Sequence, residues 1–205
     1  MRSSMRRILL IACAIALAVA FMVSRQQPTR AADGTPPPVP AAVQVEAGHK
    51  LFLVGHAIGT QNYVCVPSGD SVKYVLFTPQ ATLFSDGKQA TTHFFSPNPD
   101  QNGTVRAAWQ NSDDSSTVWG EVKDGNSSSD PAFVAPGAIP WLKVTKAGTQ
   151  VGPDGGDMLT ATTFIQRLNT SGGLAPSTGC SSSADVGNKA FVPYTADYFF
   201  YTKAS

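Results

Sequence analysis

Charge, histidine and cysteine are all scarce in this chain, and each shortage removes a class of function. Only 14% of its 205 residues are charged. Beyond the N-terminus the basic ones form no cluster, which speaks against nucleic acid, whose binding depends on neutralised phosphates. Three histidines and three cysteines, scattered along the sequence, offer no spacing for a structural zinc site. No glycine-flanked serine of the nucleophile-elbow type is present, nor a glycine-rich phosphate loop, a His-Glu metalloprotease helix or a dinucleotide fingerprint. No cofactor is therefore expected. The run Gly152, Pro153, Asp154, Gly155, Gly156, Asp157 lacks the acidic ladder and closing glutamate of a calcium loop and reads as a hairpin turn.

The one long apolar run lies at the start. Three arginines between Met1 and Arg7 precede the almost wholly apolar Ile8 to Val23, and small residues follow as far as Ala31 and Ala32. This layout predicts a signal peptide over 1–32; an uncleaved anchor is the other reading, and the sole route to a membrane. Cleavage near Ala32 would leave 10 of the 15 basic residues against all 14 acidic ones, a net charge of −4. It would also remove Cys13, leaving Cys65 and Cys180 in a chain bound for an oxidising compartment. A disulfide between them is expected, with two buried free thiols as the alternative. Residues 33–42, with Pro36, Pro37, Pro38 and Pro40, read as a solvated, disordered tether, and the domain is expected over 43–205.

From Val43 onward, short alternating runs end at Gly, Pro, Asn or Asp, the signature of an all-β domain. Lys50–Ala57 and Thr60–Val66 read as a pair flanking Gly59, and Val72–Thr78 as a strand stopped by Pro79. Ala81–Phe84 and Lys88–Phe95 bracket Asp86-Gly87, a two-residue hairpin turn. Thr104–Gln110 and Thr117–Lys123 form a second hairpin. Leu159–Leu168 could be strand or helix, with its threonines favouring strand. In the terminal run Val192, Tyr194, Ala196, Tyr198 and Phe200 share one face, and Thr195, Asp197, Phe199 and Tyr201 the other. About nine or ten strands suit an antiparallel β-sandwich or a barrel closed to hide its edges.

Several motifs occur in a telling order. They are Gly59, Gln61, Tyr63 and Cys65; Pro79, Ala81 and Leu83; His93, then Trp109; Ile139-Pro140-Trp141-Leu142; Ile165-Gln166-Arg167 with Asn169-Thr170 and Gly172-Gly173; and Cys180 ahead of Val192-Pro193-Tyr194-Thr195-Ala196-Asp197-Tyr198. In these the chain resembles the secreted bacterial and fungal family named domain of unknown function 3455, over roughly Val43 to Lys203. It departs where Phe95–Arg106 puts a polar loop between His93 and Trp109. The resemblance implies a class without an activity.

Chemistry could reside at few places. His93 is the one catalytic candidate, as a base near neutral pH, with a hydrogen-bonded structural role as the plainer reading. Arg167 sits in an apolar run and needs an anion or several carbonyls; Asp197, in an equally apolar run, is the expected partner. The other reading of Arg167 is presentation to a carboxylate or phosphate ligand. Trp109, Trp119 and Trp141 could form a stacking platform for sugars or flat ligands, although core packing is the usual fate of such residues, and Tyr194 is a further ligand-binding candidate. The first reading is a binding or structural module at the cell surface or outside the cell, its ligand a carbohydrate or other small molecule. The rival is a small secreted hydrolase or lyase using His93 with an Asp partner. N-terminal sequencing of exported protein is expected to find a first residue between Phe21 and Asp33; Met1 would identify an anchor instead.

Overall fold

The computed structural model describes residues 34–204. The segment read as a signal lies outside them. Nine strands follow one another: β1 (His49–Ser68), β2 (Ser71–Ser85), β3 (Lys88–Asn98), β4 (Thr104–Asn111), β5 (Thr117–Glu121), β6 (Ser127–Ser128), β7 (Trp141–Gln150), β8 (Phe164–Gly172) and β9 (Lys189–Lys203). All pairings are antiparallel, in the order β5-β4-β3-β2-β1-β9-β8-β7-β6, and β5 also pairs with β7. That last pairing closes eight strands into an up-and-down barrel, with the two-residue β6 as an extra piece beside β7. Of the two architectures the sequence allows, the barrel is the one formed.

Period-two alternation gives this barrel an inside. Across β1 and β9, Leu53 faces Phe200, Gly55 faces Tyr198, Ala57 faces Ala196 and Gly59 faces Tyr194. The stripe Gly55, Ala57, Gly59 is small where its partners are large, so β1 leaves room for two tyrosines and a phenylalanine. Gly59 also lies against the Gln80 carbonyl and Ala81, with no space for a Cβ. It is thus a point of close strand approach. The expected turn at Gly59 does not exist: Lys50–Ala57 and Thr60–Val66 are parts of one twenty-residue strand. Pro79 likewise fails to stop β2. There β2 pairs with Gln61 on one side, while β3 pairing starts at Ala81, and the nearby Phe95 N–H donates to the Thr78 hydroxyl at 3.1 Å. The missing proline N–H leaves no gap in the ladder.

The Asp86-Gly87 turn forms with positive φ at both residues, 49° and 76°, as a two-residue hairpin requires. Leu159–Leu168 divides: turns occupy its start and β8 begins at Phe164. Leu159, fully buried, joins Leu83, Val118, Ile165 and Phe200 in the core, so the turn packs one end of the lumen. Its N–H is held by the Ser116 hydroxyl at 3.1 Å.

The outer face of β7 to β9 is covered in turn. Val43, in the short 3-10 turn Ala41–Val43, is fully buried; its carbonyl accepts Gln166 Nε2 at 2.7 Å, and the Gln166 side-chain oxygen accepts the Tyr201 hydroxyl at 2.6 Å. Lys143 adds a 2.8 Å ion pair to Glu46. Pro36 to Val39 line a shallow groove with His49 and Tyr201.

Cys65 on β1 is bonded to Cys180 in the loop ahead of β9, across 115 residues of sequence. A bond closing so long a loop restricts the unfolded chain strongly. Replacing both cysteines with serine is expected to lower unfolding free energy by up to roughly 4 to 5 kcal/mol in the loop-entropy account, measured by denaturant titration.

Candidate functional site

The packed end of the barrel gives way to an open one. A cavity of about 440 Å³ occupies the lumen there. Its floor and walls come from inward-facing positions on all eight barrel strands: Gln61 and Tyr63 on β1, Pro79 on β2, His93 and Phe95 on β3, Ala107 and Trp109 on β4, Gly120 on β5, Leu142 and Val144 on β7, Arg167 on β8 and Tyr198 on β9. Gly120 faces Val144 so closely that a Cβ would meet that side chain. Val105, Val122 and Leu174 form an exposed apolar rim. Arg106 and Glu121 also belong to the rim, paired at 3.1 Å.

His93 is placed opposite Trp109 in the β3–β4 register, and the two rings stack at 4.3 Å and 8°. The polar insertion therefore extends the hairpin beyond them, through Asn98 and a 3-10 turn at Pro99–Gln101, and leaves their pairing intact. The His93 Nδ1–H donates to the Ala108 carbonyl at 2.9 Å, which leaves Nε2 as an acceptor. Burial drives the His93 pKa down to about 3, with the Ala108 contact opposing the shift and the charge of Arg167 adding to it. A neutral ring with no carboxylate partner among the described residues is a weak base.

Arg167 faces the lumen, and Asp197 does not. In the β8–β9 register Arg167 lies opposite Tyr198, whereas Asp197 lies opposite Leu168 on the outer face. The expected Arg167–Asp197 pair is thus absent, because one step of register separates inside from outside. Asp197 instead accepts His56 Nδ1 at 2.6 Å and Asn169 Nδ2 at 2.8 Å. Arg167 donates from Nε and Nη2 to the Pro140 carbonyl, at 3.3 and 2.9 Å. Among the described residues it has no carboxylate partner, and its remaining side-chain contact is with the Tyr198 hydroxyl.

The remaining candidates are dispersed. Trp119 and Trp141 alternate out of the lumen: the Trp119 Nε1–H donates to Ser96 Oγ at 2.8 Å, and Trp141 packs near Phe133. The three tryptophans make no common platform. Tyr194 is interior, its hydroxyl 3.3 Å from that of Tyr198. Burial raises the pKa of Tyr63, Tyr194 and Tyr198, with Arg167 acting against it in each, so all three keep their protons at neutral pH. The Tyr63 hydroxyl donates to the Gly173 carbonyl at 2.7 Å.

Sequence reasoning missed Gln61, Tyr198 and the rim. Gln61 is 2% exposed and Trp109 1%, yet Gln61 Nε2 and Trp109 Nε1 have no hydrogen-bond partner. A polar residue inside the small-residue stripe of β1 was the available signal for Gln61. Among the described residues no group of three or more His, Cys, Asp or Glu could hold a metal ion.

The depressed His93 pKa has a measurable consequence. Between about pH 6.5 and about 3 the unfolded chain takes up a proton on His93 that the folded barrel refuses. Stability is expected to fall as pH is lowered through this window, by at most about 1.4 kcal/mol per pH unit from this group. Denaturant titrations across the window should show a shallower fall for His93→Gln, and an unchanged slope would refute the assignment.

Compared with known proteins, the chain matches no curated protein and no solved structure. A family model matches residues 46–202, nearly all of the barrel from the end of the covering segment to β9. The chain belongs to the family described as protein of unknown function, DUF3455.

Proposed function

We propose that the protein is a binding module that works outside the cytoplasm and takes a small, largely apolar molecule into the open end of its barrel. The cavity carries this reading. A barrel of eight strands can fill its interior with side chains or hold one small ligand; one end here is packed around Leu83, Val118, Leu159 and Phe200, while the other leaves about 440 Å³. That volume lies in the range typical of small-molecule sites, and mostly apolar walls with a few convergent polar groups are their usual lining. The Cys65–Cys180 bond is consistent with an extracellular or periplasmic setting. The hydrolase or lyase alternative would need a carboxylate to orient His93, whose Nδ1 is instead engaged by the Ala108 carbonyl.

N-phenyl-1-naphthylamine, an uncharged dye whose emission rises in dry apolar sites, is the direct probe. Titration into the purified domain is expected to give a saturable rise at one dye per chain. Ala107→Trp, which places an indole in the cavity, should abolish that rise while leaving the far-ultraviolet circular dichroism unchanged. No saturable rise with the unaltered protein would sink the binding reading.

A further inference from the structure

The polar groups at the deep end of the cavity are unequal in kind. Arg167 brings a permanent positive charge that meets no carboxylate among the described residues. Gln61 Nε2 and Trp109 Nε1 are donors without partners, on side chains 2% and 1% exposed. The Tyr198 hydroxyl, kept protonated by burial, lies beside Arg167 and 3.3 Å from the Tyr194 hydroxyl. Against these stand His93 Nε2 and the carboxylate of Glu121, and Glu121 is held by Arg106 at the rim. A buried donor left without an acceptor is costly, and an incompletely paired charge in an apolar lumen more so. An oxyanion would relieve several of these costs at once, since a carboxylate accepts up to four hydrogen bonds. A second carboxylate would meet apolar walls, or a rim where Arg106 is already paired with Glu121.

We propose that the ligand is an apolar monocarboxylate, seated with its carboxylate on Arg167, Gln61 and Trp109 and its hydrocarbon body toward Val105, Val122 and Leu174. This rests on the binding reading above and adds the charge and orientation of the occupant. The ligand then does for Arg167 what a carboxylate side chain does for an arginine in an apolar interior elsewhere. The Pro140 carbonyl, which accepts from Nε and Nη2, fixes the guanidinium plane and leaves its other edge for the ligand. Only part of the charge is met by that one carbonyl.

The test uses matched pairs that differ in one functional group. trans-Cinnamate and cinnamyl alcohol, then decanoate and 1-decanol, are each titrated to displace N-phenyl-1-naphthylamine from the unaltered protein. A buried charge-assisted contact worth about 1.5 to 3 kcal/mol converts to a preference of roughly tenfold to a hundredfold. At least one carboxylate is expected to win over its alcohol by that factor. Arg167→Met should erase the preference, and Arg167→Lys, which keeps the charge for the case in which the methionine variant does not fold, should retain part of it. Equal displacement by acid and alcohol in the unaltered protein, or an undiminished preference in folded Arg167→Met, would overturn the carboxylate assignment while leaving a barrel that binds neutral molecules. Failure of the dye itself to bind would remove both readings together.

Discussion

Everything in this molecule depends on the closure of the sheet by β5 onto β7. Five residues, Thr117–Glu121, supply the pairing that turns a row of strands into a ring and removes both free edges. Once closed, alternate residues on every strand are committed to the lumen, and the volume between them must be filled with side chains or left to a ligand. At one end Leu159 and its neighbours fill it. At the other end side chains such as Ala107 leave space between them, and that space is the cavity.

The same constraint explains why so few polar groups matter. The lumen is narrow and largely walled by apolar side chains, so each donor placed in it needs an acceptor from within the ring or from a molecule that enters it. Tyr63 finds the Gly173 carbonyl and His93 the Ala108 carbonyl. Gln61 and Trp109 find none, and Arg167 has a single carbonyl for a full charge. On the outer face the equivalent groups are settled internally: Asp197 with His56 and Asn169, Gln166 with Val43 and Tyr201, Lys143 with Glu46. Trp141 Nε1, outside the lumen, is also without a partner, so what sets the lumen apart is an arginine with no carboxylate beside an open cavity.

The family match covers this barrel from Glu46 to Thr202 and brings no activity with it. What the chain does must therefore be argued from the site. The His93–Trp109 stack is set by strand register, and Arg167 by register and the Pro140 carbonyl, so neither depends on the conformation of the polar hairpin between Phe95 and Arg106. That hairpin instead carries Val105 and Arg106 to the rim, where a change of loop would alter what enters without disturbing what waits inside.

Local patterns by themselves determined the all-β class, the Asp86-Gly87 turn, the two faces of β9 and the pairing of the only two cysteines left beyond the N-terminal segment. Each of these rests on neighbours in sequence or on simple counting. Tertiary structure alone decided that β1 runs unbroken through Gly59, because the close approach of Gln80 and Ala81 is made by another strand. It alone chose barrel over sandwich, since the β5–β7 pairing joins residues with no local signal between them. It also separated Arg167 from Asp197. Both lie in apolar runs that suggest a buried pair, but strand register is a property of two strands together, and one step of it sends Arg167 inward beside Tyr198 and Asp197 outward beside Leu168.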